Sequence, residues 1–375
     1  MRGNLTGSEL KERLVDTIAL LSIAGVGRGR FNRLVAAFGS PAEALSASID
    51  DLETTDGISR TIAGQIKDGY DGQKARQTAA RIVQLGWAVL FPDHPEYPQA
   101  LLTIADYPPL LFRLGEPFKS EDKSIAIVGT RHCTEKGRLF TLELGRSLAR
   151  AGIIVISGMA EGIDSAAHAG ALEEGGRTVA VWGNSLDIVY PPANKGLAAK
   201  IMANGAAYSE YLPGTNPDRS TFPDRNRLIS GLADGVVVVE AGRKSGALIT
   251  AQHALEQGRE LFAVPGSPHA HMSEGTNALI KKGARLITGL DDIFEELPRL
   301  KGEVISKKFR QMPDMTETEK SIVSLFSDGC LQIDQIARDV QIPVPELMGF
   351  LLALEMKGVI RELSGKRFAL CETFI

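Results

Sequence analysis

Residues 153–168 read Ile-Ile-Val-Ile-Ser-Gly-Met-Ala-Glu-Gly-Ile-Asp-Ser-Ala-Ala-His, an apolar run that enters a glycine-punctuated turn and leaves it in a helical pattern. An apolar run without polar alternation suits a strand covered on both faces, and a strand feeding straight into a helix is the unit of a parallel sheet. The succession recurs: runs at 125–128, 153–157, 178–182, 236–239 and 261–264 alternate with helical patterns. They predict an α/β fold with a doubly wound, Rossmann-like parallel sheet, whose ligands sit beyond the carboxyl ends of the strands. The loops that begin at those ends, 129–131, 157–164, 183–185, 240–246 and 265–267, should converge.

Two of these loops carry chemistry. Ser157, Gly158 and Gly162 leave little side-chain bulk, so backbone N–H groups there suit an anion at a helix N-terminus; the same glycines also suit a tight strand-to-helix turn with no ligand. Gly129 is followed by Thr130, Arg131, His132 and Cys133. The G-x-G-x-x-G dinucleotide fingerprint is therefore missing, and no cofactor is called for. Arg131, at the end of a core strand, offers a forked grip on phosphate or a structural ion pair. A second cluster runs from Arg219 to Gly231, with Phe222, Arg225, Asn226 and Arg227 at its centre. An aromatic ring beside guanidiniums suits single-stranded nucleic acid, bases on the ring and arginines on the backbone. The alternative is a core Phe222 with arginines on a solvated face.

Composition narrows the partners. A net charge of -4 over 375 residues excludes a general positive coat, so any nucleic-acid contact must be a local basic site. Cys133, Cys330 and Cys371 lack paired spacing, which gives neither a disulfide framework nor a zinc site and suits a reducing cytosol. The first residues carry no basic-then-apolar leader, and no apolar run reaches spanning length; the expectation is a cytoplasmic protein with no membrane contact and no metal.

The chain divides as follows. Residues 1–85 read as helices interrupted at Gly25-Val-Gly-Arg-Gly and Thr55-Asp-Gly-Ile-Ser, either paired helix-hairpin-helix units or a plain bundle with glycine turns. There Arg28, Arg30 and Arg33 would face phosphate or water. The Rossmann-like core takes 86–298, with a proline-rich connection at 97–115; a charged linker takes 299–315. Residues 316–375 give helical patterns at 316–327, 333–340 and 344–357 and a hairpin around Ser364-Gly365, a winged helix. Its third helix is acidic or apolar, which favours protein contact or packing over duplex reading.

Val-Gly129-Thr-Arg131, Ser157 to His168, Phe222-Pro-x-Arg-Asn-Arg-x-Ile-x-Gly-Leu232, Ser245-Gly-x-Leu-Ile-Thr250 and Pro265-Gly-Ser267 together resemble the DNA processing protein A family, DprA or Smf. The segment Tyr97-Pro-x-x-Leu to Pro-Pro-x-Leu-x-x-x-Gly115 matches as well, so the resemblance covers about residues 97 to 297. It implies a protein without a catalytic centre that binds the single strand taken up in natural transformation, protects it and helps load the RecA recombinase. By the same resemblance the DNA site comprises Gly129, Thr130, Arg131, Ser157, Gly158, Gly162, Arg219, Phe222, Arg225, Asn226, Arg227, Lys244, Ser245 and Gly246. The family often has lysine where Arg219 stands. The family also self-associates through the end of this domain, here with Leu279, Ile280, Ile287, Ile293 and Phe294, which implies a homodimer.

Enzyme readings remain open at this point. Asp164, Ser165 and His168 lie close enough on one helix to be drawn as a hydrolase triad, although such triads usually come from separate loops. A nucleotide phosphoribohydrolase on a related fold is the other reading. The glycine loop at 242–246 then lacks the downstream catalytic glutamate.

Overall fold

The structure, a computed structural model, describes residues 7–301, 315–328, 331–363 and 366–370. They form two compact units, divided near residue 304. Residues 302–314 of the expected linker, the Ser364-Gly365 turn, Cys330 and Cys371 lie outside the described residues.

The first unit opens with six helices, α1 (Gly7–Ser22), α2 (Arg28–Phe38), α3 (Pro41–Ser46), α4 (Ile49–Glu53), α5 (Arg60–Asp68) and α6 (Gly72–Gln84). Ser40, Ser48, Ser59 and Asp71 start α3 to α6, each side chain accepting a hydrogen bond from a backbone N–H that the helix leaves unpaired. Leu14, Ile18, Leu34, Leu52 and Ile66 are buried between the helices. That apolar cluster does not stop at residue 85. It continues through Trp87, Phe112 and Trp182 of the sheet region, with the Trp87 and Phe112 rings 5.3 Å apart. The helical segment expected as a separate domain 1–85 thus shares a core with the expected domain 86–298.

The sheet runs β1 (Ala88–Leu90), β2 (Leu111–Gly115), β3 (Ser124–Val128), β4 (Ile154–Ser157), β5 (Thr178–Val181), β6 (Ala206–Ser209), β7 (Gly235–Val238), β8 (Glu260–Ala263) and β9 (Arg285–Leu286), in spatial order β1-β2-β6-β5-β4-β3-β7-β8-β9. From β6 to β9 all pairs are parallel; β1 and β2 add antiparallel strands at one side. Helices α7 (Glu135–Arg150), α8 (Ile163–Glu173), α9 (Lys195–Asn204), α10 (Thr221–Leu232), α11 (Ala247–Glu256), α12 (Glu274–Lys281) and α13 (Leu290–Glu296) pack on it. Val128 pairs in register with Val238, and Ala126 with Ile156, so β3, β4 and β7 end level and their loops open on one edge.

Two expectations need correction here. Leu300 is fully buried in the core and Arg299 pairs with Asp234 at 2.7 Å, so the first residues of the expected 299–315 linker belong to the folded unit. Of the expected apolar association surface, Ile287 and Ile293 are fully buried and Leu279, Ile280 and Phe294 partly so; the apolar residue that end exposes is Leu286 on β9.

The second unit contains α14 (Glu317–Ser324), α15 (Ile333–Val340) and α16 (Val344–Met356), with β10 (Leu331–Gln332), β11 (Ile360–Leu363) and β12 (Arg367–Leu370) ordered β10-β12-β11. Thr316 and Glu319 cap α14 reciprocally, and Ile322, Ile336, Leu347, Leu351, Leu354 and Phe368 fill the core. This is the winged helix. Its α16 exposes Met348, Leu352 and Met356.

Candidate nucleic-acid interface

The loops after β3, β5, β6 and β7 border one open cleft of about 930 Å³ at the carboxyl end of the sheet. Gly129, Thr130 and Arg131 form one wall, Lys244, Ser245 and Gly246 the opposite wall, and Arg219, Phe222, Arg225 and Asn226 lie between them. Of the fourteen expected residues, these ten line the cleft; Ser157, Gly158, Gly162 and Arg227 do not.

Phe222 stands in the first turn of α10, half-buried. The Arg131 guanidinium lies 5.2 Å from its ring centroid, and the Tyr190 ring stacks on it at 5.6 Å and 28°. Tyr190 is 38% exposed and lines the cleft, so two aromatic rings and a cation share one patch. Sequence reasoning missed Tyr190 because it sits 32 residues upstream of Phe222, in a proline-flanked loop without a motif. Gly183 supports the ring from below: a Cβ there would stand 2.7 Å from Phe222 Cδ1.

Arg131, Arg219 and Lys244 are exposed, and among the described residues none of the three is drawn into an ion pair. Arg243 is also exposed but pairs with Glu274 at 3.0 Å. Asn226 Nδ2 donates to the Gly246 carbonyl at 3.3 Å, tying α10 to the turn that begins α11.

The two buried arginines have other work. Arg225 is 4% exposed and donates to the carbonyls of Gly158 (2.8 Å) and Val181, while burial pulls its guanidinium down to about 10. It is the floor of the cleft, joining α10 to the ends of β4 and β5. Arg227, 2% exposed, places Nη2 2.6 Å from both carboxylate oxygens of Glu210 and Nε 2.9 Å from Asp106. Its expected grip on DNA is replaced by an internal ion pair, because the α10 turn points it away from the cleft.

The glycine loop is likewise occupied from within. Asp164 Oδ2 accepts from the N–H groups of Gly158 (3.1 Å) and Ala160 (3.3 Å), so the anion seated there is the chain's own carboxyl. Burial raises the Asp164 carboxyl above its ordinary range, against the pull of Arg225 and those N–H groups. Ser157 donates to Ile127 O at 2.6 Å. Gly162, at φ +81°, lies so close to the other wall that a Cβ would meet the carbonyl oxygens of Thr130 and Arg131 at 2.5 Å. The loop's task is to hold the Arg131 wall in place, as a tight turn with close backbone approach.

The triad is not assembled. Ser165 Oγ donates to Ala160 O at 2.6 Å and accepts from Asn194 at 2.9 Å. His168 is fully buried with Nδ1 2.7 Å from Thr178 Oγ1, whose own hydrogen goes to Val155 O at 2.7 Å. Nδ1 must therefore carry the proton and donate. Burial pushes His168 from 6.5 down to about 3. The unfolded chain protonates this histidine first as the pH falls, so its contribution to stability is complete above pH 6.5 and drains away between 6.5 and about 3. His168→Gln should flatten the fall of stability over that window by about 1.4 kcal/mol per pH unit, the worth of one proton. Thermal melts of both proteins between pH 7 and 4.5 check this; parallel curves would contradict it.

Among the described residues, the cleft walls carry two carboxyls, Asp164 and Asp218. Asp218 caps Ser220, accepting from its N–H at 2.8 Å and its hydroxyl at 2.5 Å. Glu240, just behind, is bound to Thr134 N (2.8 Å) and Oγ1 (2.6 Å). Each of these three acids is engaged in structure, and the exposed cations and rings of the cleft could hold a polyanion with an unsaturated ring system.

Comparisons with known proteins agree with this architecture. The family model described as DNA recombination-mediator protein A matches residues 88–298, that of the DprA winged helix domain residues 309–366, and that of the SAM-like helix-hairpin-helix tandem residues 17–69. Protein Smf of Synechocystis sp. is 31% identical over 94% of this chain and 97% of its own length. The DNA processing protein DprA of Bacillus subtilis is 38% identical over 69% of this chain and 87% of its own. Among solved structures, DNA processing protein A from Streptococcus pneumoniae superposes with a TM-score of 0.65 at 32% identity, covering 78% of this chain and 99% of that one. The same protein from Helicobacter pylori, solved for its single-stranded DNA binding mode, gives 0.51 at 31% identity over 58% of this chain and 97% of that one.

Proposed function

We propose that this chain, which belongs to the DNA recombination-mediator protein A family, DprA or Smf, binds single-stranded DNA in the cleft at the carboxyl end of its sheet and carries out no covalent chemistry there. One observation carries the proposal: a half-buried aromatic ring, Phe222, held beside the exposed Arg131 guanidinium and the Tyr190 ring inside a cationic cleft. A stacking platform accepts any base, and guanidiniums track the backbone, which suits a single strand of any sequence. Duplex bases are already stacked on one another and offer no free face to the ring. The binding mode of the Helicobacter pylori relative supports the choice of strand. The engaged state of Asp164, Asp218 and Glu240 supports binding without turnover.

Family membership supports a place in natural transformation and recombination, with the bound strand protected and passed to the RecA recombinase in the cytoplasm. Among the described residues no helix is long and apolar enough to cross a membrane. A homodimer through the β9 end of the sheet belongs to the same proposal, with half-exposed Leu286 in place of the buried Ile287 and Ile293.

Arg131→Ala tests the phosphate grip. It should weaken single-strand binding and lower the slope of log affinity against log salt by about 0.7 for each phosphate that the guanidinium neutralises. A salt titration that leaves the slope unchanged would remove Arg131 from the residues that hold the backbone.

A further inference from the structure

The first of the two helical hairpins reaches the helix that carries Phe222. Arg28, the first residue of α2 after the turn at Gly25–Gly27, directs Nη1 to Asp224 Oδ2 at 2.7 Å and Nη2 to Asp224 Oδ1 at 2.5 Å. It also lies 3.7 Å from Asp106 and 3.8 Å from Glu210. Arg28 is not among the cleft residues; its side chain, 28% exposed, stands at the hairpin turn with its guanidinium on the carboxylates of Asp224, Asp106 and Glu210. Arg30 has a related internal role, donating to the carbonyls of Gly25 and Gly57 at 2.8 Å each and so joining the two hairpin turns.

We propose that Arg28 is a positioning residue for single-strand binding, acting through Asp224 to hold the first turn of α10 and with it the Phe222 ring. The proposal rests on the cleft being the DNA site. Three observations support it. Ser220, the residue at the start of α10, makes no side-chain cap hydrogen bond, so its hydroxyl does not hold the N–H groups of the first turn, of which Thr221 N–H donates to the Asp218 carbonyl at 3.2 Å. Phe222 and Asp224 both belong to that turn, Phe222 in the cleft and Asp224 bound to the hairpin. The only other side-chain hydrogen bond to Asp224 among the described residues comes from Tyr211 Oη at 3.3 Å, a single bond against the forked pair from Arg28. Without Arg28, the cluster Asp106, Glu210 and Asp224 retains Arg227 as its one close cation, and repulsion then acts on the turn that must hold the ring still.

The test is a double-mutant cycle in the full-length chain, with Arg28→Ala, Phe222→Ala and both together, measured by fluorescence anisotropy on a labelled oligothymidylate across a salt series. Arg28→Ala alone should weaken binding about tenfold, a large part of what one stacked base supplies, and leave the salt slope unchanged. In the Phe222→Ala background the same substitution should have little further effect, because it acts through the ring. Arg28→Lys, which keeps the charge and loses the fork, should fall between wild type and alanine; thermal melts accompany every variant, and Arg28→Lys carries the cycle if the alanine variant does not fold. Additive effects with a lower salt slope would make Arg28 a phosphate ligand and overturn the proposal. Unaltered affinity in a folded Arg28 variant would overturn it too. Failure of the wild-type chain to bind the oligonucleotide would instead sink the assignment of the cleft.

Discussion

Arg227→Ala should cost about 3–5 kcal/mol of folding stability, the penalty for leaving a buried charge without its partner. The Glu210 side chain is only 8% exposed, and burial drives its carboxyl upward while Arg227 first and Arg28 second pull it back. Arg227 Nη2 lies 2.6 Å from both Glu210 oxygens, a charge-assisted contact that offsets part of the desolvation of the pair. Take it away and Glu210 must either protonate or draw water into the core between α10 and β6. A fall in melting temperature of about 10 °C is the expected size. Single-strand affinity at a temperature where the variant is folded should fall much less than stability does. If the melt were unchanged and DNA binding collapsed, Arg227 would be a DNA ligand and the ion pair incidental.

Phe222→Ala should reverse that profile. Removal of one stacking ring should cost about 1–3 kcal/mol of single-strand affinity, roughly five- to 150-fold, with the salt slope almost unchanged. The ring is half-buried at the rim of the cleft, so its truncation leaves no closed cavity in the core. Tyr190 and Arg131 would be deprived of the surface they pack on, which gives the substitution its reach beyond one ring. Affinity equal to wild type in a folded Phe222→Ala protein would end the stacking role. A large drop in melting temperature would show a core residue instead.

The contrast between these two residues, five positions apart on one helix, shows where the sequence was legible. The central strands were, because a strand buried on both faces must be apolar throughout: runs at 125–128 and 236–239 stand out in any reading, and they are β3 and β7 to within a residue. β6, Ala-Ala-Tyr-Ser, was not legible, since two alanines carry little strand preference and its place comes from register with β5. β2 follows two prolines, whose restricted backbone makes the stretch resemble a connection. At the site, Arg131 and Phe222 were found from residue type and motif. The split among the arginines could not be: Arg219, Arg225 and Arg227 are chemically alike, yet the first stands exposed just ahead of α10, while the turn of that helix lays the second on the floor and buries the third against Glu210. The glycine loop misled for a similar reason. Backbone N–H groups that suit a phosphate suit Asp164 equally, and Asp164 is tethered six residues away.

The boundary at residue 85 was hidden for a different cause. Periodicity identifies the helices and not what their apolar faces meet, and here Leu14, Ile18 and Leu34 share a cluster with Trp87 and Trp182. Arg28 is the polar counterpart of that shared core. A reading of the hairpin glycines alone points outward, to a ligand; the structure turns their arginine inward.

The central claim is that the cleft selects single strands by stacking on Phe222 and by holding the backbone through Arg131. A competition titration tests it most directly: a labelled single-stranded oligonucleotide is bound to the full-length chain and displaced by unlabelled single-stranded or duplex DNA of the same sequence. Displacement by the single strand at far lower concentration than by duplex, with the preference abolished in Phe222→Ala, is the predicted result. Duplex competing equally or better, or a preference that survives Phe222→Ala intact, would contradict it.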